Sequence, residues 1–318
     1  ALTLAMVFAA LTVLSGCAGH PRAPKTELPI TATQARAVTI FRGDGSRASW
    51  QDLVSATAGS EAILVGENHG HPLGLAAASA LWQDVLERSP NAALAMEFWE
   101  RDEQSRLDEY LSGVTDQATF LKRCARTNSN YPPGHRAMIE AAKAAHRPVI
   151  AANAPRPYVH LARTEGFERL ASLSPSQQAL FKIPEVLPAR DSPYRKAFDD
   201  VMEAGHGAEK KDQAPPDAAA ALARSERHDA GFRSQSVWDW TMAESVARSI
   251  DQGNRPTLLV VGRFHVDHHG GLVMALEHLR PDTRTTVVSF ADEAAPATLP
   301  EADRGRADFV VFVGPFKE

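Results

Sequence analysis

The sequence predicts an α/β fold in which helices flank a mostly parallel central sheet and a helical insertion interrupts the pattern. Short apolar runs rich in Val, Ile, Leu and Ala alternate with stretches in which apolar residues recur at helical spacing. Two Gly-X-X-His tetrapeptides, Gly66 to His69 and Gly262 to His265, each follow such an apolar run. Strands separated by helices form βαβ units, which build parallel sheets.

The N-terminal segment predicts an export signal. The first 17 residues are uncharged and mostly apolar, and they end in Leu14-Ser15-Gly16-Cys17. This run is too short to span a membrane, and small residues before a cysteine are typical of bacterial lipoprotein processing. We therefore expect a signal peptide over residues 1–17, lipidation of Cys17, a tether over 18–35 and one domain over 36–318. An ordinary signal peptide is the alternative. The chain has no initial Met and no basic leader, so we also expect residues that precede it.

Composition excludes several classes of protein. The net charge is −5 and no basic block occurs, so nucleic acid is not an expected partner. With Cys17 lipidated, Cys124 has no partner among two cysteines, which excludes a disulfide framework and a cysteine zinc site. About 300 residues remain after the leader, enough for one large or two modest domains.

The elements follow in chain order. Period-2 and continuous apolar runs predict seven strands: Val38–Phe41, Ala62–Val65, Ala92–Met96, Pro148–Ala152, Thr257–Val261, Thr285–Phe290 and Asp308–Val313. Helical spacing predicts the intervening helices: one opened by Ser49, then Pro72–Glu87, Glu100–Leu111, one after Gly134-His135, about Ser225–Asp251, and Gly270–Leu279. The stretch from about 174 to 225 breaks this alternation, and its Pro, Ala and charged residues predict a helical insertion with a polar segment.

Polar side chains stand where the predicted strands end. Glu67 with His69, Glu97, Asn153 and His265 each follow a strand. In open α/β sheets the carboxyl ends of the strands carry the ligand site, so we expect these side chains to meet. Two His and one Glu would suit a divalent metal such as zinc, manganese or iron. A His and a Glu could equally act as general base and acid without a metal.

Two further groups of residues are candidates for the same site. Arg101 would lie one helical turn after Glu97, within reach of an acidic ligand or of Glu97 itself. On the long helix, Gln235 and Asp239 share one face, and an Asp there could orient a histidine. The alternative for Asp239 is a buried hydrogen-bond acceptor within the core.

An ordered set of motifs resembles a known family. These are Gly66-Glu67-Asn68-His69, Glu97-Phe98-Trp99-Glu100-Arg101 with Gln104, Ala151 to Arg156, Gln235-Ser236-Val237-Trp238-Asp239, and Gly262-Arg263-Phe264-His265. Together they are similar to the ChaN-like haem-binding lipoproteins over roughly residues 36 to 314. The wider superfamily resembles the Tiki and TraB proteins, with erythromycin-esterase-like hydrolases as more distant relatives.

The resemblance implies a haem-binding surface lipoprotein in haem and iron uptake. Its ligand-binding residues would include Arg101, Asn153, Arg156, Gln235 and Asp239. The insertion would supply Tyr194, Met202 or His206 as axial ligand; the alternative for these three residues is a mobile surface helix without a ligand. The wider superfamily implies instead a metal-dependent hydrolase of protease or esterase type. By position its metal ligands would be His69, Glu97 and His265, with Glu67 as general base. An envelope lipoprotein that keeps an inactive site is a third interpretation.

The expected partners follow from these interpretations. They are haem, a membrane reached through the lipid on Cys17, and a second copy of the chain closing over the haem. The expected location is the cell envelope, in the outer membrane of a Gram-negative bacterium.

Overall fold

The computed structural model describes residues 30–127, 129–205 and 218–316. Eight strands in this part of the chain form one sheet: β1 (Thr39–Arg42), β2 (Arg47–Ala48), β3 (Ala62–Glu67), β4 (Ala93–Glu100), β5 (Val149–Asn153), β6 (Thr257–Gly262), β7 (Thr285–Ala291) and β8 (Phe309–Phe312). Their order is β2-β1-β8-β7-β3-β6-β4-β5. Strands β8 to β5 of this order are parallel, and β1 runs antiparallel to β2 and β8. The predicted α/β class with a mostly parallel sheet is confirmed, and the antiparallel edge makes the sheet mixed.

Twelve α-helices connect the strands in the described residues. They are α1 (Ala32–Arg36), α2 (Trp50–Thr57), α3 (Pro72–Arg88), α4 (Gln104–Leu111), α5 (Gln117–Arg123), α6 (Pro133–Ala144), α7 (Arg156–Glu165), α8 (Phe167–Ala171), α9 (Pro175–Gln178), α10 (Pro193–Gly205), α11 (Ala218–Asp251) and α12 (Gly271–Leu279). Ser49 caps α2 through a reciprocal bond with Asp52, as expected of a serine at that position. None of these helices is long and apolar enough to cross a membrane.

The sheet has a helical layer on each face. Ile63 and Val65 of β3 pack with Trp82 of α3 in one core cluster, whereas Leu64 packs with Met242 of α11 in another. This alternation is the period of a strand, whose successive side chains point to opposite faces. Burying a side chain of the size of Ile, Leu or Met stabilises the fold by about 1.5–3 kcal/mol relative to leaving that side chain exposed to water.

Strand β4 is longer than predicted. The sequence predicts a helix from Glu100, but β4 continues to Glu100, which pairs in register with Asn153 of β5. Trp99 is fully buried, so the extended conformation places it in the core. A short 3-10 turn over Arg101–Glu103 then leads into α4. The helical turn expected between Glu97 and Arg101 is therefore wrong.

The N-terminal and inserted segments differ from the expected bounds. Helix α1 includes residues assigned to the tether, and its Ala35 packs on Ala76 and Ala80 of α3. Helix α11 begins at Ala218, earlier than the expected Ser225. Within the insertion, the described residues form α9, α10 and the first turns of α11.

The two edge strands of the sheet, β2 and β5, differ in length and in how their backbone groups are hydrogen-bonded. At one end, β2 consists of two residues only. At the other end lies β5, where the side-chain amide of Gln104 donates to the Val149 carbonyl at 2.9 Å and accepts from Ala151 N at 2.7 Å. This amide thus forms the two hydrogen bonds that a neighbouring strand would form.

Candidate functional site

The carboxyl ends of three neighbouring strands meet at one edge of the sheet. Strand β6 lies between β3 and β4, and Glu67 is in register with Gly262. Glu97 of β4 accepts a hydrogen bond from Gly262 N at 2.6 Å. His69 follows β3, and His265 ends the 3-10 turn that follows β6. The structure therefore brings together the side chains that the two Gly-X-X-His motifs and Glu97 supply.

The glycine of each motif makes room for the other motif. A Cβ on Gly66 would lie 2.7 Å from the Val266 side chain and 2.9 Å from Arg263 Cα. A Cβ on Gly262 would lie 2.9 Å from His69 Nε2. Real Cβ atoms do not approach so closely, so the approach of β3 to the backbone at Arg263 depends on Gly66, whereas a Cβ on Gly262 would displace the His69 ring.

His265 is a buried imidazole held between two carboxylates. Its Nδ1 lies 2.6 Å from Asp239 Oδ1, and its Nε2 lies 3.6 Å from Glu97 Oε1. Burial alone would lower the pKa of His265, but Asp239 and Glu97 together raise it to about 10. Burial would raise the pKa of Glu97, yet His265 and His69 lower it to about 2. The site therefore contains an imidazolium and at least one carboxylate at neutral pH.

Asp239 connects His265 to the insertion. It is 1 % exposed, and its Oδ2 accepts from the Tyr194 hydroxyl at 2.8 Å. The side-chain nitrogen of Gln235 lies 3.0 Å from the Tyr194 oxygen and 3.0 Å from His265 Nδ1. Burial raises the pKa of Asp239 against the effect of His265. The sequence predicts that an aspartate of α11 orients a strand-end histidine, and in the structure Asp239 lies beside His265.

Glu67 lies between two imidazoles, one of which the sequence did not reveal as part of the site. His69 Nδ1 lies 3.1 Å from Glu67 Oε1, and His135 Nε2 lies 3.1 and 3.0 Å from the two Glu67 oxygens. Glu67 and His135 are buried, whereas the His69 side chain is 68 % exposed. The bond to Glu67 raises the pKa of His69 above its ordinary value, despite some desolvation.

His135 enters the site from the first turn of α6. A Cβ on Gly134 would lie 2.6 Å from Leu75 Cβ, so this glycine lets α6 pack closely on α3. The signal in the sequence was the Gly134-His135 pair at a helix start, which repeats the combination of a glycine and an imidazole. It was missed because it does not follow a strand.

The remaining predicted residues divide into three groups. Asn153 and Arg156 line the rim of a cavity beside the site, where Arg156 pairs with Glu100 at 3.3 Å. Tyr194 is buried, and its hydroxyl donates to Asp239. His206 and Cys17 lie outside the described residues.

Arg101 is not part of this site. Because β4 continues to Glu100, Arg101 projects to α11, where it pairs with Glu244 at 2.9 Å and donates to Ser245 Oγ at 2.8 Å. It also donates to the Thr241 carbonyl at 2.8 Å. Its guanidinium is buried among these groups, so it joins α11 to the sheet and does not face a ligand at the strand ends.

Two cavities open beside the strand ends and share Glu67, His69 and His265 in their walls. The aromatic cavity has a volume of about 560 Å³ and is bounded by Phe198, Phe264 and Phe316, with Val201 beside them. The polar cavity has a volume of about 1080 Å³, and its rim carries charged side chains: Glu100, Asp102, Glu103, Arg106, Arg126, Arg156 and Arg163. The imidazoles thus separate an aromatic surface from a charged one.

The described residues contain no group of three or more His, Cys, Asp or Glu side chains that could hold a metal ion. His265 directs Nδ1 to Asp239 and Nε2 to Glu97, so both ring nitrogens already face carboxylates. The predicted metal ligands His69, Glu97 and His265, and the hydrolase that they would serve, stay predictions.

Comparison with known proteins identifies one matching family. The family model described as "Haem-binding uptake, Tiki superfamily, ChaN" matches residues 53–276. A solved structure of ChaN from Campylobacter jejuni with cofacial haem is similar over 86 % of this chain and 96 % of its own, with a TM-score of 0.61 and 13 % identity. An erythromycin esterase, EreC, in its open conformation has a TM-score of 0.44 and 11 % identity, over 82 % of this chain and 78 % of its own. No curated protein matches significantly.

Proposed function

We propose that this chain, which belongs to the ChaN family of haem-binding uptake proteins in the Tiki superfamily, binds haem in the aromatic cavity. The observation that carries this proposal is the aromatic cavity itself, which places Phe198, Phe264 and Phe316 beside histidines. Small-molecule sites are mostly apolar, with a few polar groups that fix the ligand's orientation.

The groups around the aromatic cavity suit the chemistry of haem. The porphyrin faces are apolar and match the phenylalanine rings, while the propionates are anionic. Arg263 lies in the cavity wall, where its guanidinium is 3.6 Å from Asp292, a long separation for an ion pair. A guanidinium can bind a carboxylate through two hydrogen bonds, so Arg263 is the cation that we assign to a propionate.

Haem iron needs an axial ligand, commonly an imidazole, a thioether or a phenolate. Of the imidazoles in the cavity wall, His71 uses both nitrogens, with Gly74 N and the Gly314 carbonyl. His265 is held by two carboxylates. His69 is largely exposed, whereas Tyr194 would first have to leave Asp239. We therefore place His69 ahead of Tyr194 as the iron ligand.

A haem titration of Val201→Asp tests the cavity. Val201 is 56 % exposed on the α10 wall, and a carboxylate there would be buried unpaired against the porphyrin. We expect haem affinity to fall at least tenfold, or about 1.4 kcal/mol. The matched control is Val114→Asp, because Val114 is 73 % exposed and lines neither cavity. Equal affinities in the two variants, or no saturable Soret change in the unmodified protein, would contradict the proposal.

The role in uptake extends the proposal to the cell envelope. We propose that a lipid on Cys17 anchors the chain to the outer membrane, where it receives haem for iron uptake, and that two chains can enclose haem between their cavities. Incorporation of labelled palmitate that is abolished by Cys17→Ala would support the anchor. Light scattering with and without haem would test the dimer.

A further inference from the structure

Helix α10 forms one wall of the aromatic cavity and also reaches the strand-end site. Phe198 and Val201 face the cavity, and Phe198 packs against Phe232 of α11 with ring centroids 5.2 Å apart. Tyr194, one turn before Phe198, points away from the cavity towards Asp239. The same short helix therefore contacts the proposed haem surface and the carboxylate that holds His265.

The contacts of Tyr194 divide between its ring and its hydroxyl. The ring lies 5.3 Å from the Phe264 ring and 6.0 Å from the Phe232 ring, measured between centroids. The hydroxyl donates to Asp239 Oδ2 at 2.8 Å and lies 3.0 Å from the Gln235 side-chain nitrogen. Packing against the aromatic cluster would need only the ring, so the hydroxyl adds a separate and directional constraint.

Because Gly271 at the start of α12 has no side chain, Tyr194 and Asp239 can approach each other beside it. A Cβ on Gly271 would lie 2.2 Å from Asp239 Oδ2 and 2.6 Å from Tyr194 Cε1. Any larger side chain there would separate Tyr194 from Asp239. The local backbone is thus arranged around this hydrogen bond.

Other contacts hold α10 on α11 without the hydroxyl. Arg195 is 6 % exposed, and it pairs with Asp229 at 2.7 Å and with Asp199 at 3.1 Å. Its guanidinium also lies 4.6 Å from the centroid of the Phe232 ring. Because this network anchors the helix, loss of the hydroxyl alone should change the position and mobility of α10 but leave the fold intact.

We propose that Tyr194 is a positioning residue whose hydroxyl, through Asp239, couples the α10 wall of the aromatic cavity to His265 at the strand ends. The chain of contacts is continuous: Tyr194 to Asp239 at 2.8 Å, and Asp239 to His265 at 2.6 Å. The coupling is a property of the protein alone, and its consequence for haem rests on the proposed function. A coupling free energy is reciprocal, so a change at His265 must also reach α10.

Hydrogen–deuterium exchange of residues 193–205 in the protein without haem tests the coupling. Tyr194→Phe keeps the ring and removes one hydrogen bond to a carboxylate, so exchange should become about tenfold to a hundredfold faster. His265→Gln, which leaves the Nδ1 position empty, should accelerate exchange in the same segment. Tyr158→Phe is the matched control, because the Tyr158 ring packs against Phe181 and none of the hydrogen bonds described involves its hydroxyl.

Two outcomes of the exchange experiments would overturn the proposal. One is wild-type exchange of residues 193–205 in Tyr194→Phe, which would mean that the hydroxyl does not hold the helix. The other is faster exchange in Tyr194→Phe with no effect of His265→Gln, which would reduce Tyr194 to a local packing role. Circular dichroism before each exchange experiment establishes that the variants are folded.

Haem binding supplies an independent readout. If α10 walls the haem site, Tyr194→Phe should raise the haem dissociation rate by a factor similar to the change in exchange, while Tyr158→Phe should not. A protein that takes up no haem would refute the proposed function and leave the exchange result standing. Faster exchange without any change in haem dissociation would refute the link between Tyr194 and the cavity.

Discussion

Replacing His135 with phenylalanine should destabilise the protein strongly, because Glu67 would lose its closest partner inside the core. Glu67 is 3 % exposed and His135 is 4 % exposed, and their polar atoms lie 3.0 and 3.1 Å apart. Phenylalanine keeps a planar aromatic ring that is somewhat larger than imidazole, so the change mainly removes the two polar contacts. His69 would remain as the other partner of Glu67, at 3.1 Å.

The magnitude follows from the burial of the pair. Leaving a buried charge without its partner typically costs about 3–5 kcal/mol, and Glu67 is a buried carboxylate whose pKa lies below its ordinary value. With a urea dependence of about 3 kcal/mol/M for a chain of this size, the unfolding midpoint should fall by about 1–2 M. A loss of this size is a large fraction of the about 5–15 kcal/mol that stabilises a typical domain.

The effect should depend on pH in a defined direction. Burial alone would raise the pKa of Glu67, but His135 and His69 lower it below its ordinary 4.5. A carboxylate with a lowered folded-state pKa contributes stability above its ordinary pKa, and this contribution is lost as pH falls through the folded value. The difference in stability between the wild type and His135→Phe should therefore be largest at neutral pH and shrink below about pH 4.5.

Urea unfolding followed by circular dichroism at several pH values provides the assay. His160→Ala is the control, because His160 lines the same polar cavity but is exposed, and its effect should stay within about 0.5 kcal/mol. Adding Glu67→Gln to His135→Phe removes the buried charge and should recover part of the loss. A loss below about 1 kcal/mol, or no recovery in the double variant, would refute the view that Glu67 is a buried carboxylate that depends on His135.

Two further variants test other parts of the structure. Gly66→Ala places a Cβ 2.7 Å from the Val266 side chain and 2.9 Å from Arg263 Cα and should cost about 1–3 kcal/mol in thermal unfolding, whereas Gly59→Ala, with open space around its Cβ, should cost much less; equal effects would contradict the close approach of the two motifs. Arg101→Met breaks the 2.9 Å pair with Glu244 and should lower stability by about 3 kcal/mol while leaving haem affinity unchanged; a loss of haem affinity at full stability would return Arg101 to the ligand site.

The strand-end residues could be predicted because a parallel sheet imposes their position. Once apolar runs alternate with helices, Glu67, Glu97 and His265 must lie near one edge, and the structure places them there. Asp239 could be predicted because helical spacing places it on the same face of α11 as Gln235. In each case a regular element fixes the direction of the side chain.

What the sequence did not reveal depends on packing between distant segments. His135 reaches Glu67 because Gly134 lets α6 approach α3, and local spacing contains no sign of that contact. Arg101 was assigned to the ligand site because a helix was expected from Glu100, whereas burial of Trp99 extends the strand. The hydroxyl contact of Tyr194 likewise arises only when the insertion folds back on α11.

The two edge strands, β2 and β5, limit how two copies of this chain can associate. An uncovered outer strand offers unpaired backbone groups to a second molecule and invites continuous aggregation. Here the Gln104 amide occupies two of those groups on β5, the Val149 carbonyl and the Ala151 N–H, and β2 is too short to template another strand. Addition of a second sheet to form a filament is therefore disfavoured at both sides. The proposed dimer around haem would therefore use helices and cavity mouths instead of strand pairing.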